Sequence, residues 1–422
     1  MAGGLMQLVA YGAQDVYLTG NPEVTFYQAK YKRHTNFAME NIEQTLNGNA
    51  GDSGRVSVTV ARNGDLVGDM YVELESKAAD SAVACWIAER AIASVELSIG
   101  GQRVDKQYQK WWRLYTELHL DEAKKSTYGK MTTATAASAS KSGTVYLPLM
   151  FFFNRNPGLY LPLIALQYHE VRIDFDLASD MTTYLNKDVF KVWANYIYLD
   201  TEERRRFAQK GHEYLIEQVQ HTGVDSVDTA GGTKQLRLSY NHPVKELVWC
   251  LAGSGVDSLW NFGMGAATNK FALTTEVSSD DTTTPGASYL PISAASGAPV
   301  VAVAGHADRV AFTEENQSAM STFKLVLNGQ DRFKEQKSKY FNQVQAYNHH
   351  SGCPMPGVYS YSFALKPEEH QPTGTCNFSR IDNAQVAIVT AAANPATNLH
   401  MFATNYNVLR IQSGMGGLAF SN

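Results

Sequence analysis

The chain reads as all-β: two tandem eight-stranded antiparallel jelly-roll sandwiches with short helices and long surface loops. Three observations predict this. Apolar residues alternate with period two through most of the sequence, as at Val56, Val58 and Val60 against Ser57 and Thr59. The 422 residues suit two domains of roughly 200 residues each better than one core. An ordered series of segments also occurs twice.

The repeat is plainest at "IGGQRVDKQYQKWWRLY", which contains Gly100-Gly101-Gln102, and at "LNGQDRFKEQKSKYFNQVQAY", which starts at Leu327. Flanking segments correspond in the same order. Upstream, "ENIEQTLNG" (40–48) matches "YLIEQVQHTG" (214–223), sharing Ile-Glu-Gln. Next, "RVSVTVARNGDLVGDMYVEL" from Arg55 matches "KQLRLSYNHPVKELVWCLA" from Lys234; each is a strand, a polar turn and a second strand. Downstream, "TVYLPLMFFF" (144–153) pairs with "GVYSYSFALKP" (357–367), and "LQYHEVRIDFDL" (166–177) with "NFSRIDNAQVAIV" (377–389). The last pair is "VFKVWANYIYLD" (189–200) and "LHMFATNYNVLRI" (399–411). The series divides the chain into an N-terminal arm (1–30), a first jelly roll (31–210) and a second (211–422) with a long insertion at about 252–321. About eight antiparallel strands per half, without regularly spaced helices, imply two packed sheets in each.

The exception to period two follows each Gly-Gln pair. Tyr108, Trp111, Trp112, Tyr115 and Leu118 recur at helical spacing behind Asp105 as N-cap, and Phe333, Tyr340, Phe341, Val344 and Tyr347 do so in the second copy. Aromatic stripes of this kind are core, so each helix is expected to close one end of its sandwich. Between the shared segments lie two unequal insertions, 121–143 and the Ala/Ser/Thr/Gly-rich 252–321, both expected on the surface and the second with short strands of its own.

Composition narrows the function. Hydrophobic residues make up 44% and aromatics 11%, while charged residues reach only 18% against the usual 25% or so, which fits a chain that buries surface against partners. A net charge of −5 supplies no basic field, so direct, specific nucleic-acid binding is not expected. The start, "MAGGLMQLVAYGAQD", has neither a basic n-region nor a long apolar stretch, and Ala2 argues against myristoylation. The longest apolar run, Tyr146–Phe153, contains Pro148 and is far shorter than the roughly 20 residues of a membrane span. A soluble, cytosolically made protein is expected. Cys85, Cys250, Cys353 and Cys376 are scattered and expected to be reduced, mostly buried thiols.

No catalytic, cofactor-binding or metal-ligating residues are assigned. The sequence holds no H-E-x-x-H, G-x-S-x-G or P-loop pattern. His349-His350 is read as surface loop, and His169-Glu170 as strand with a satisfied, half-buried imidazole. "SGMGGLAF" (413–420) lacks the strand-then-helix context of a phosphate cradle; its glycines are expected to let a terminal segment turn and pack against a neighbour. "KYKRH" (30–34) and "EERRR" (202–206) are read as solvated faces or protein contacts, the first serving an acidic partner. Asn316 and Asn377 begin sequons at near-chance frequency. The alternatives are a glycan-processing hydrolase, for which Glu73, Glu96 or Asp174 would be nominated, and a carbohydrate-binding module with exposed aromatics.

"GGLMQLVAYGAQDVYLTGNPEVTFYQAKYKRHTNFAMENIEQ" (3–44) closely resembles the N-terminal signature of the major capsid proteins of nucleocytoplasmic large DNA viruses, particularly those of algae. "FFFNRNPGLYLPLIALQYHEV" (151–171), "LNGQDRF" (327–333), "GTCNFSRIDNA" (374–384) and "NYNVLRIQSGMGGLAF" (405–420) resemble further blocks of that family. The resemblance implies a double jelly roll that forms homotrimeric, pseudo-hexagonal capsomers. These tile an icosahedral virion shell over an internal membrane, held by minor capsid proteins and assembled in the host cytoplasm. It further implies that 121–143 and 252–321 form an outward tower, and that the N-terminal arm lies at the base against the membrane or minor proteins. Duplication then has a use, since three chains offer six similar sandwiches to a hexagonal position.

Overall fold

The computed structural model describes residues 3–77, 86–132, 143–227, 231–252, 269–273, 289–293, 319–352, 354, 357–391 and 398–420. Two compact units result, Met1–Asn36 and Phe37–Asn422. The first holds the short helices α1 (Gly3–Val9) and α2 (Val16–Thr19), neither with a buried residue.

In the larger unit the first ten strands are β1 (Phe37–Gln44), β2 (Leu46–Gly48), β3 (Arg55–Thr59), β4 (Leu66–Ser76), β5 (Ile92–Ile99), β6 (Gln102–Tyr108), β7 (Gly143–Pro148), β8 (Leu161–Pro162), β9 (Val171–Leu177) and β10 (Leu185–Leu199). They pair as one long hairpin rolled on itself: β1 with β10, β3 with β9, β4 with β7, β5 with β6, all antiparallel. The result is two sheets, β1-β10-β4-β7 and β2-β3-β9-β5-β6. Alternation decides which side chains meet between them. Val56 and Val58 of β3 point into the same core as Val72 and Leu74 of β4 and Val192 of β10.

The second half repeats the pattern with β11 (His212–Ser226), β12 (Thr233–Leu238), β13 (Pro243–Ala252), β14 (Asn269–Leu273), β15 (Tyr289–Ser293), β16 (Met320–Leu327), β17 (Gln330–Asp331), β18 (Gln336–Lys337), β19 (Val358–Ser362), β20 (Cys376–Asn377), β21 (Ala384–Thr390), β22 (Asn398–Gln412) and β23 (Met415–Leu418). Again first pairs with last: β11 with β22, β12 with β21, β13 with β19, β16 with β17. The sheet orders β11-β22-β13-β19 and β12-β21-β16-β17 reproduce those of the first half. This core centres on Trp249, stacked on Phe323 at 4.3 Å and packed against Phe341 and Tyr359. The fold is a double jelly roll, as the sequence predicts.

The duplicated Gly-Gln segment is one device used twice. In each half it is a two-residue hairpin with both central residues at positive φ, Gly100-Gly101 (59° and 83°) and Asn328-Gly329 (50° and 80°). That geometry is the turn whose twist matches its strands, and it demands Gly or Asn.

Three sequence expectations fail in detail. Asp105 is no N-cap, because β6 continues to Tyr108 and helix α4 spans Gln109–His119; the αR run begins only after the strand stops pairing with β5. The two aromatic helices also differ. In the second copy a π turn (Tyr340–Val344) leads into Gln345–His349; Phe341 is buried, but Tyr347 is 90% exposed and Phe333 precedes the helix. Nor does α4 simply close its own sandwich. Trp112 joins the first core, while Trp111, Leu114 and Leu118 pack on the outer face of the second half's β13-β19-β22 sheet. Strand β13 is accordingly buried on both faces, apart from its first residue.

The insertions part ways too. Residues 122–132 form a helix, α5 (Glu122–Thr132), whose Lys125, Tyr128 and Thr132 are buried, so this stretch is not wholly surface. Within 252–321 the described residues include the β14-β15 ladder, the short strands the sequence anticipates. Residues 253–268, 274–288 and 294–318, with Asn316, lie outside the described residues, as do Cys85 and Cys353. Cys250 is buried and Cys376 half-buried, and both are free thiols.

Candidate functional site at the junction of the sandwiches

The chemistry-bearing side chains gather where the two sandwiches meet. Strand β6 of the first lies beside β11 of the second, and the Asp105 carboxylate accepts the Val219 N–H (3.0 Å), the Lys106 N–H (2.9 Å) and Gln107 Nε2 (3.2 Å). Burial pushes the Asp105 carboxyl up to about 6, against the pull of those donors and of Arg155. Next to it, Asn405 Nδ2 and Asn407 Nδ2 donate to Gln218 Oε1, and Gln218 Nε2 donates to the Val104 carbonyl. The seam is specified by polar pairing as well as by apolar area.

A second group of contacts comes from helix α6 (Phe152–Arg155). Its Arg155 reaches Glu217 of β11 at 3.0 Å, and Glu217 also accepts Lys245 Nζ of β13 at 2.7 Å. Burial works against the Glu217 anion, yet Arg155 and Lys245 outweigh it and lower its pKa.

A third lies at the C-terminal end of α4. His119 Nε2 sits 3.0 Å from Glu246 Oε1 of β13, and its ring stacks on Tyr115 at 4.5 Å. The His350 imidazole stands nearly perpendicular to that of His119, 5.1 Å away, with Nε2 3.6 Å from Glu246 Oε2 and Nδ1 3.6 Å from Glu368 Oε1. One nitrogen of each imidazole and one Glu246 oxygen all lie within 4.8 Å of one another. The side chains of His119, Glu246 and His350 are 6%, 1% and 0% exposed. Burial opposes the Glu246 anion, but His119, His350 and Lys245 hold its pKa at about 2; burial lowers the His350 pKa.

Helix α3 (Ile87–Arg90), α4 and α5 share a fourth cluster. Arg113 Nη1 meets Glu89 at 3.3 Å and Nη2 meets Glu117 at 2.7 Å, Lys125 lies 3.5 Å from Glu117, and the Tyr128 hydroxyl donates to Glu89 at 2.7 Å. The side chains of its four charged residues are fully buried, two cations against two anions. The Arg113 guanidinium also lies 3.4 Å from the Trp86 ring centroid.

The C-terminal glycines do what the sequence anticipates. β23 turns back on β22 through Ser413-Gly414 and returns to the first sandwich, where His169 Nδ1 lies 2.8 Å from the Gly416 carbonyl and Gln102 Oε1 accepts the Leu418 N–H at 3.2 Å. A Cβ on Gly416 would stand 2.7 Å from Leu166.

Of the nominated carboxylates, Glu73 stands apart from the other two, which face each other across a strand pair. Glu73 lies on β4, where Oε2 accepts Trp193 Nε1 at 2.7 Å. Glu96 and Asp174 are register partners across β5 and β9 in the other sheet, with Lys106 3.9 Å from Glu96 and Arg172 2.8 Å from Asp174. His349 is half-exposed, its Nδ1 3.0 Å from the Leu365 carbonyl, whereas His350 is not the surface residue the sequence suggests. Its burial comes from Glu246 and His119, each at least 100 residues away, so no local pattern signals it. Asn377 caps a short turn by accepting the Ser379 N–H. "EERRR" lies on α7 (Thr201–Gln209), a helix with no buried residue, from which Arg204 reaches Asp65 at 3.0 Å.

Known proteins resemble this arrangement along its whole length. Residues 203–417 match the family model for the large eukaryotic DNA virus major capsid protein, and residues 25–200 that for the major capsid protein N-terminus. The major capsid protein of Paramecium bursaria Chlorella virus 1 is 43% identical and that of Phaeocystis pouchetii virus 40%, each alignment covering all of both chains. Among solved structures, a chain of the quasi-atomic PBCV-1 virus capsid superposes with a TM-score of 0.76 at 38% identity, covering 94% of this chain and 100% of that one. The chain belongs to the major capsid protein family of the large eukaryotic DNA viruses and is a structural protein of the virion.

Proposed function

We propose that three copies of this chain form a pseudo-hexagonal capsomer, and that capsomers tile an icosahedral shell over an internal membrane with minor capsid proteins between them. One observation carries this reading: the same nested strand order occurs twice in one unit, with the halves locked by α4, the β6–β11 seam and the C-terminal hairpin. A threefold assembly of such chains presents six near-equivalent sandwiches, which a hexagonal lattice position accepts. Within this reading the functional units are the arm (1–30), the first jelly roll (31–210) and the second (211–422), and the insertion carrying β14 and β15 faces outward.

The role is structural rather than catalytic, and synthesis takes place in the host cytoplasm. Ionic partners beside Glu96 and Asp174, and the free thiols of Cys250 and Cys376, support those two parts in turn. The arm exposes Leu8, Tyr17, Leu18, Phe26 and Tyr27, each more than three-quarters accessible, a surface suited to minor capsid proteins and the membrane base. Among the described residues no helix is long and apolar enough to cross a membrane, so contact would be peripheral.

Negative-stain microscopy with mass measurement on the purified protein tests the capsomer. Six-sided particles with threefold centres and three times the 46.5 kDa chain mass are expected. A protein that stays monomeric at every concentration reached would overturn the reading.

A further inference from the structure

His119, Glu246 and His350 meet in a buried space, yet their hydrogen bonding is incomplete. His350 Nδ1 and Nε2, Glu246 Oε2 and His119 Nδ1 are all enclosed and make no hydrogen bond within 3.5 Å, the two His350 nitrogens standing 3.6 Å from Glu368 Oε1 and Glu246 Oε2. An imidazole carries at least one N–H, and enclosing such a group unpaired costs about 1–3 kcal/mol. Four such atoms in one place need a common explanation.

We propose that His119, Glu246 and His350 bind a divalent transition metal, zinc by ligand type, and that the ion clips the first sandwich to the second. Two imidazoles and one carboxylate are a recurrent zinc donor set. Tetrahedral ligands at zinc–nitrogen distances stand about 3.3 Å apart. Here Glu246 Oε1 lies 3.0 Å from His119 Nε2 and the other oxygen, Oε2, 3.6 Å from His350 Nε2, and one donor atom from each of the three residues lies within 4.8 Å of the other two, so closing on an ion takes small side-chain movements.

The surroundings fit the same assignment. With the ion on His350 Nε2, the opposite nitrogen, Nδ1, becomes the N–H that faces Glu368 Oε1 at 3.6 Å, the carboxylate–histidine–metal arrangement that fixes ring and tautomer. Glu368 is itself held by the Ser351 N–H (2.8 Å) and hydroxyl (3.1 Å). The ion and Glu368 together satisfy three of the four enclosed atoms. Charge balances as well, because two neutral imidazoles leave Glu246 and Glu368 to match a dication, while Lys245 is already paired with Glu217. The donors come from the last residue of α4 in the first sandwich and from β13 and the segment after Gln345–His349 in the second.

Metal uptake by the full-length protein, stripped with EDTA and titrated calorimetrically with zinc chloride, tests the proposal. Saturable binding of one ion per chain is expected, with the Tm rising as zinc is added. Cobalt chloride should give the intense visible bands of a tetrahedral site. H119Q and H350Q should each weaken zinc binding by roughly 100-fold or more, and E368Q by about 10–100-fold. Uptake well below one ion per chain overturns the proposal, as does an octahedral cobalt spectrum. Equal affinity in folded H119Q and H350Q, the mark of surface histidines acting adventitiously, does so too. If neither variant folds, E368Q decides: unchanged affinity there overturns the arrangement.

Discussion

The Asp105 carboxylate, on β6 of the first sandwich, accepts the backbone N–H of Val219, on β11 of the second, at 3.0 Å. It is 4% exposed, and the charged side chain acting on it is Arg155 of α6, from its own sandwich; Arg103, Lys106 and His221 line the same cleft. Burial raises its pKa from 3.8 to about 6. A carboxyl that holds its proton more tightly when folded contributes stability that is complete below about pH 3.8 and lost as pH rises through about 6. The swing is on the order of 3 kcal/mol. Chemical denaturation of the wild type and D105N at pH 7 and pH 4 isolates it, because other titrating groups, including the oppositely acting Glu246, cancel in the difference. The wild type should gain on D105N by about that amount on acidification. A difference independent of pH would remove Asp105 as the titrating group.

Arg113 neutralises Glu89 and Glu117 at once, with no solvent to share the task. R113M strands at least one buried carboxylate and should cost about 3–5 kcal/mol. E89Q should cost about 1 kcal/mol, since an amide oxygen still accepts from Tyr128 and Arg113, and since burial already raises the Glu89 pKa against the pull of Arg113. Urea denaturation of both variants tests this. Equal losses would mean that the cluster acts through shape rather than charge.

Local pattern accounts for what was readable in the chain. Period-two alternation marked the strands, and the hairpin chemistry of Gly100-Gly101 and Asn328-Gly329 marked one turn in each half. Segments paired by sequence occupy equivalent strands, β1 with β11, β3 with β12, β7 with β19, β10 with β22. What stayed hidden depends on distant residues. Trp111 and Trp112 are adjacent and equally apolar, but they serve different cores because the second sandwich supplies the wall for one of them. In the sequence Asp105 is indistinguishable from an N-cap because capping residues and strand-end acids are the same residue types; only the distant N–H of Val219 distinguishes them. α5 has little amphipathic character of its own and owes its burial to Glu89 and Glu117, which meet its Tyr128 and Lys125. The His119–Glu246–His350 cluster likewise has no local spacing to betray it.

Gly100 and Gly329 lie in equivalent turns of the two halves, Gly100 at the first central position and Gly329 at the second, and they should not tolerate alanine equally. Both sit at positive φ, which costs an L residue about 1–2 kcal/mol. Nothing approaches a Cβ at Gly329, whereas a Cβ at Gly100 would lie 2.4 Å from His169 Nδ1, an atom engaged with Gly416. G329A should lose only the backbone strain, and G100A about 1–3 kcal/mol more as the His169–Gly416 link breaks. Equal melting temperatures for the two variants would show that the C-terminal hairpin contributes nothing at this point.

The compact unit that contains the arm ends at Asn36, where β1 follows, and its lack of buried side chains predicts a divided phenotype. Residues 1–36 form a unit of their own, with Leu8, Leu18 and Phe26 left open to solvent, so their removal deprives neither sandwich core of a buried side chain. A chain beginning at Phe37 should melt at the temperature of the full-length protein and still form trimers, since the junction contacts of α4, β11 and β23 all remain. Such exposed apolar area is costly to maintain without a partner, and in the proposed shell the partner is the membrane side of the lattice. Truncated capsomers should therefore fail to enter particles when co-expressed with the remaining virion proteins. Incorporation equal to that of the intact chain would assign the arm no part in assembly, whereas a lowered melting temperature would mean that it belongs to the body instead.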